Sequence, residues 1–238
     1  MNIFQKEQHV CKVCGFNMIG YHPDNCPFCG ASKDDFMTAE QCAENYQVKS
    51  VEVNEKILQF KSYPPLGLEH AAYQINTSNE LVWIDCPSSF SNDLDKMDKI
   101  MFTHHHFLGA SNLYRRYYDS KLWIHKKDSK HNIAQHHTFD QKFKDNFSYK
   151  SIEAFHIDGH TPGFTFYLFQ DVIFVCDYII SRTENLIFNP YGPVGPTKKG
   201  ALQLQEIIKE RTINYVCGYD DIQEYKTWKK KFDSLLNT

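Results

Sequence analysis

Hydrophobic and polar positions alternate with a period of two over Gln47-Val48-Lys49-Ser50-Val51-Glu52-Val53, which predicts a half-buried strand. Ile57-Leu58-Gln59-Phe60 and Ala71-Ala72-Tyr73-Gln74-Ile75 read the same way. Leu81-Val82-Trp83-Ile84 and Ile100-Met101-Phe102-Thr103 are continuous apolar runs, as buried strands are. Leu122-Trp123-Ile124 and the stretches 164–169, 172–175 and 213–216 complete the predicted strands. Helical spacing predicts helices over 109–118, 198–211 and 224–236, the second with Ala201, Leu204, Ile207 and Ile208 on one face. This is a layered α/β pattern, with no internal repeat, long linker or low-complexity segment.

Composition narrows the class. Hydrophobic residues make up 42% and charged residues 23% of 238, a globular balance. No apolar run reaches the roughly 20 residues of a membrane helix, and Met1 to His9 hold no apolar export core. The net charge of −3 offers no electrostatic case for nucleic acid or an anionic membrane. The expected location is the cytoplasm, where eight cysteines are metal ligands or free thiols rather than disulfides. Residues 1–45 carry three lysines against six acidic residues, while the remainder is balanced. We therefore expect an N-terminal module over 1–45 and a main domain over 46–238. The acidic module is either a solvated surface or a docking face for a basic partner such as an electron-donating reductase.

The strongest local signal is Cys11-Lys12-Val13-Cys14-Gly15 followed by Cys26-Pro27-Phe28-Cys29-Gly30. Two C-x-x-C knuckles offer four thiolates to one tetrahedral metal. The glycine after each frees the backbone for positive φ, turning amides toward sulfur. A module this small needs the metal to complete its folding. Donor type alone allows zinc or iron. Residues 8–37 resemble rubredoxins, and the short spacer is similar to the rubredoxin-like domain of rubrerythrins. That resemblance implies a redox-active iron held by Cys11, Cys14, Cys26 and Cys29; the alternative is a structural zinc ribbon.

In the main domain the strand ends carry the chemistry: Asp85-Cys86, His104-His105-His106, Cys176-Asp177 and Gly218-Tyr219, with His160 in the rigid turn Asp158-Gly159-His160-Thr161-Pro162-Gly163. Side chains at one end of successive strands converge. The ordered series resembles the metallo-β-lactamase superfamily, in its glyoxalase II-like branch. Thr103-His104-His105-His106 looks like the start of T-H-x-H-x-D-H, and Gly159-His160-Thr161-Pro162-Gly163 looks like the G-H-T-P-G turn. The resemblance implies an αββα sandwich and a first metal site of His104, His106, His160 and Asp177. It also shows what is lost. Leu108 and Gly109 stand where the second metal's Asp and His belong, and Tyr219 replaces the last histidine. At most one metal is therefore expected. Three histidines and a carboxylate suit iron as well as zinc. Persulfide dioxygenases of this superfamily resemble a precedent, in which the positions of His104, His160 and Asp177 hold one iron.

The leading expectation is a redox metalloenzyme with a single non-haem iron in the His/Asp site, zinc being the alternative ion, and electrons relayed by the four-cysteine iron. Its candidate catalytic residues are Asp177, Tyr219 and His70. The alternatives are a mononuclear zinc hydrolase acting on a thioester, lactone or phosphoester, and a non-catalytic electron carrier. The expected partners are a small-molecule substrate and a reductase, with a homodimer left open and neither nucleic acid nor membrane. Cys86, Cys176 and Cys217 are read as buried hydrophobes or as thiols working at the site. His105 is expected to point away from His104 and His106, as strand neighbours do. His131, His136 and His137 are expected to face solvent. The loop 189–196 is expected to border the site, with Lys198 and Lys199 either holding an anionic substrate or simply opening a helix.

Overall fold

Short strands flank the cysteine knuckles: β1 (Gln8–Cys11) pairs antiparallel with β2 (Asn17–Ile19) and with β3 (Phe36–Thr38). The computed structural model describes Ile3, Phe4 and residues 7–237. Met1, Asn2, Gln5 and Lys6, part of the stretch read above for an export signal, lie outside the described residues. Helix α1 (Ala39–Asn45) follows β3 behind a capping box. Thr38 Oγ1 accepts from Gln41 N–H and Gln41 Oε1 accepts from Thr38 N–H.

The chain next builds a seven-stranded sheet from β4 (Gln47–Asn54), β5 (Ile57–Tyr63), β6 (Ala72–Asn76), β7 (Leu81–Ile84), β8 (Lys99–Met101), β9 (Lys121–His125) and β10 (Gln141–Phe143). Strands β4 to β7 pair antiparallel, then β7, β8 and β9 run parallel. Because β7 and β8 are parallel, Asp85 and Thr103 leave the same edge of the sheet. Helix α2 (Ser111–Tyr118) supplies Leu113 and Tyr114 to the core, where Trp83 meets Phe60 and Tyr114 edge-on at 5.0 and 4.9 Å. Indole is too polar to bury unpaired, and Trp83 Nε1–H donates to Gln74 Oε1 at 3.0 Å. The cysteine knuckles and this sheet belong to one compact unit, which runs to Ile124 and includes Ser129–Phe143.

The second unit takes His125–Asp128 and the chain from Lys144 onward. Its six-stranded sheet is ordered β11 (Phe147–Tyr149), β12 (Ile152–His156), β13 (Thr165–Phe169), β14 (Val172–Cys176), β17 (Tyr215–Gly218) and β18 (Ile222–Glu224). A hairpin of β15 (Ile179–Arg182) and β16 (Asn185–Phe188) stands apart from that sheet. Helices α3 (Val194–Ile208) and α4 (Tyr225–Leu236) complete the unit. Strands β14 and β17 are parallel with Cys176 beside Gly218, so the residues after them, Asp177 and Tyr219, leave the same edge.

Most predicted strands and all three predicted helices are present. Helix α3 starts four residues earlier than its periodicity suggests, because Pro196 is tolerated in a first turn where its missing N–H has no partner to lose. Strands β11, β12, β15 and β16 and helix α1 were not legible, being short or carrying polar residues on one face.

Candidate functional site

The two cysteine knuckles are built alike. In the first, Gly15 N–H donates to Cys11 O at 2.8 Å; in the second, Gly30 N–H donates to Cys26 O at 2.9 Å. Both glycines sit at positive φ, +76° and +78°, as the turn requires. Cys11 and Cys29 sulfurs lie 3.7 Å apart, as do those of Cys14 and Cys26. A disulfide would place them about 2.05 Å apart. A tetrahedron of thiolates around a metal at about 2.3 Å has edges of about 3.8 Å, so the spacing fits one ion. Hydrogen bonds from Cys14 and Cys26 pull the Cys11 thiol down toward thiolate, and the same crowding pushes Cys14 up. The knuckles rest on the rest of the first unit. Leu68 N–H donates to Val13 O at 2.9 Å, and Asn17 Nδ2–H donates to Ser88 O at 3.0 Å.

The same unit carries the histidine motif. After β8 the chain stays extended at His104 and then turns through a 3-10 helix, His105–Phe107. Asp85 is fully buried. It accepts from the Thr103 backbone N–H at 2.8 Å and from the Thr103 hydroxyl at 2.8 and 3.0 Å. That hydroxyl also lies 2.9 Å from His104 Nδ1. Its one proton is committed to the carboxylate, so Oγ1 accepts from Nδ1–H. This assigns the His104 tautomer and leaves the lone pair on Nε2, the form a metal needs. Resemblance named Asp85 as a strand-end aspartate; its role through Thr103 was not legible, because the link depends on β7 and β8 lying side by side.

His105 stays out of the donor set to which His104 and His106 belong, as expected, though not by strand alternation. A 3-10 turn replaces the pleat, so its ring sits 4.4 Å from that of His106 and stacks on His131 at 3.9 Å. His106 also meets Phe28, the residue between the two cysteines of the second knuckle, edge to face at 5.1 Å. Leu108 is buried and has no donor atom. His70 is buried and stacks on Phe107 at 3.6 Å; burial pushes its pKa down to about 3, so it is a neutral imidazole. His137 is not exposed either. It is buried beside Ser111 Oγ at 3.3 Å, and burial again pushes it down to about 3. Burial drives the Cys86 and Cys217 thiols up, which keeps both protonated and unreactive.

In the second unit, the turn carrying His160 is locked from below by buried Asp128. Its carboxylate accepts from Thr161 Oγ1–H at 2.8 Å and from Gly163 N–H at 2.9 Å. Asp177 follows Cys176, which is held at φ +50°. Asp177 Oδ2 lies 3.2 Å from His160 Nε2 and accepts from Asn189 Nδ2–H at 2.9 Å. Burial lowers the His160 pKa, but the Asp177 charge and its hydrogen bond outweigh that and raise it. The loop 189–196 does reach this pair, as expected; Asn189 itself was missed, since an asparagine in a Gly/Pro loop reads as turn chemistry. Tyr219 is half-buried after β17, and Lys198 and Lys199 lie in the first turns of α3. His104 and His106 in the first unit are donors of the kind a metal takes, and so, within the second unit, are His160 and Asp177.

These features define a class: a four-cysteine metal module joined to an α/β sheet-rich fold. Residues 9–37 match the rubredoxin-like domain of rubrerythrin. The fold is that of the metallo-β-lactamase superfamily. The solved metallo-beta-lactamase DIM-1 is 15% identical with a TM-score of 0.65, covering 80% of this chain and 97% of its own. FIM-1 from Pseudomonas aeruginosa, solved in a mono-zinc form, is 10% identical with a TM-score of 0.63, covering 91% and 98%. The archaeal superfamily protein ST1585 from Sulfolobus tokodaii is 16% identical with a TM-score of 0.53, covering 69% and 79%. No curated protein matches the chain by sequence. Among the described residues, no helix is long and apolar enough to cross a membrane.

Proposed function

We propose that the protein is a cytoplasmic redox metalloenzyme in which His104, His106, His160 and Asp177 hold one non-haem iron and the four cysteines hold a second. The observation that carries this reading is the contact of Phe28 with His106. A structural zinc ribbon has no reason to lay its knuckle against a ligand histidine, whereas an electron relay needs such closeness. When bound, the His/Asp iron supplies one-electron chemistry on a small oxidant or sulfur substrate. The chain's own work is to prepare that site. Asp85 and Thr103 hold His104 in the Nδ1–H tautomer. Asp128 fixes the His160 turn, and Asn189 orients Asp177. Leu108 leaves no donor for a second ion at its position. Asp177 supplies the anionic ligand, Tyr219 a hydroxyl donor, and neutral His70 a rigid support behind Phe107. The acidic module is the docking face for a reductase.

Metal content with visible and EPR spectra of the full chain tests this. Two irons, with a thiolate-to-iron charge-transfer band, are expected. Zinc in both centres would refute the redox reading. It would favour the second reading, a mononuclear zinc hydrolase, which draws support from the mono-zinc form of its fold relative FIM-1.

A further inference from the structure

A third donor group is used by neither centre. Glu7, His9 and His22 each place one ligand atom within 4.8 Å of the others. The three sit at the open end of the β1–β2 hairpin, whose other end carries the first cysteine knuckle. Glu7 precedes β1 and its carbonyl accepts from Gly20 N–H at 2.6 Å; His9 lies in β1 opposite Met18. His22 comes from the segment after β2 and folds back so that its ring stacks on His9 at 3.9 Å and 10°.

We propose that Glu7, His9 and His22 form a surface site for a divalent transition metal, with Zn²⁺ the ion their chemistry fits best. His9 is the fixed member. Its side chain is 12% exposed, and its Nδ1 is buried without a hydrogen-bond partner, 4.0 Å from Glu7 Oε1. A buried ring nitrogen with no partner carries a cost that a bound ion removes. Glu7, 61% exposed, and His22, also exposed, are free to swing in. They have to close from the present spacing to the roughly 3.4 Å between donors around tetrahedral zinc, and the His22 ring has to turn out of its stack so that its in-plane lone pair faces the same point as that of His9. Two imidazoles and one carboxylate are a borderline set that suits zinc, with water completing the shell. This is a harder donor set than the four thiolates, so the two sites sort different ions. The consequence is a staple: the ion would tie the segment after β2 to β1 and brace the hairpin that presents Cys11 and Cys14.

Calorimetric titration of ZnCl₂ into the full chain, its cysteine and His/Asp centres already loaded, tests the site. The wild type is expected to take up one further equivalent in the micromolar range. That equivalent is lost in His22→Ala and weakened by about tenfold or more in Glu7→Gln, which removes the one anionic ligand. The four-cysteine chromophore reports that each variant is folded, and Glu7 is too exposed for its replacement to disturb the fold. No further equivalent in the wild type would overturn the proposal. Equal uptake by the wild type and both variants, an adventitious ion only, would overturn it too.

Discussion

Replacing Thr103 by valine tests whether the Asp85–Thr103 link prepares His104 for a metal. The substitution keeps the volume and removes one hydroxyl. That hydroxyl donates to Asp85 at 2.8 Å and accepts from His104 Nδ1–H at 2.9 Å. Both partners are fully buried, so water cannot take its place. Depriving a buried polar group of a partner costs about 1–3 kcal/mol, more when it is charged. Two such groups sum to about 2–6 kcal/mol, a large share of a domain stability of about 5–15 kcal/mol. Loss of a group that orients a ligand also weakens metal affinity by about 10–100-fold. Urea denaturation measures the first quantity and chelator competition the second. Long-range ¹H–¹⁵N NMR of the imidazole reads the tautomer directly, a signal that a merely structural threonine would not move. Thr103→Ser keeps the hydroxyl and is expected to retain the tautomer and most of the affinity, losing about 1 kcal/mol for its methyl. The reasoning fails if Thr103→Val binds metal as tightly as the wild type, or if Thr103→Ser is equally impaired.

Gly159→Ala would put a methyl 2.0 Å from the Tyr178 hydroxyl at a backbone φ of +151°. A destabilisation of at least about 3 kcal/mol is expected, together with loss of His160 ordering, and an unchanged thermal midpoint would refute it. Asp128→Ala removes the acceptor for Thr161 and Gly163 and is expected to cost about 1.5–3 kcal/mol in urea melts. It should also weaken metal at the His/Asp site while leaving the cysteine chromophore intact. His70 and His137 are neutral in the fold down to about pH 3, whereas in the unfolded chain they protonate near 6.5. Unfolding therefore takes up protons as pH falls, and the stability present above 6.5 is lost progressively toward 3. At pH 5 each histidine accounts for about 2 kcal/mol of that loss. Urea melts at pH 7 and 5 should show a smaller difference in His137→Gln, and an unchanged difference would refute the assignment.

The legible parts of the protein are those whose physics is local. A C-x-x-C-G knuckle carries its ligands and its positive-φ glycine within five residues, so Cys11, Cys14, Cys26 and Cys29 could be read without a fold. Apolar runs such as 81–84 and 172–175 declare buried strands, because nothing polar can pair inside a sheet core. His160 and Asp177 were found because a rigid turn and a strand end are local signals, and resemblance supplied their order. What could not be read depends on partners distant in the chain. Asp85 reaches Thr103 only because β7 and β8 run parallel, and Asn189 reaches Asp177 only because the loop before α3 folds back over β14's end. The same reason explains the histidine read wrongly: His137 takes its burial from the fold and the hydroxyl it packs against, while His105 takes its orientation from the 3-10 turn and the His131 ring rather than from strand alternation. The sequence alone thus determined the cysteine knuckles, the histidine and turn motifs, and where the longer apolar strands lie. The tertiary structure decided which tautomer His104 holds, which side chains orient the ligands, and that Phe28 meets His106. Hydrogen bonds and ring contacts of that kind act over a few ångströms, and only folding brings such distant positions within range.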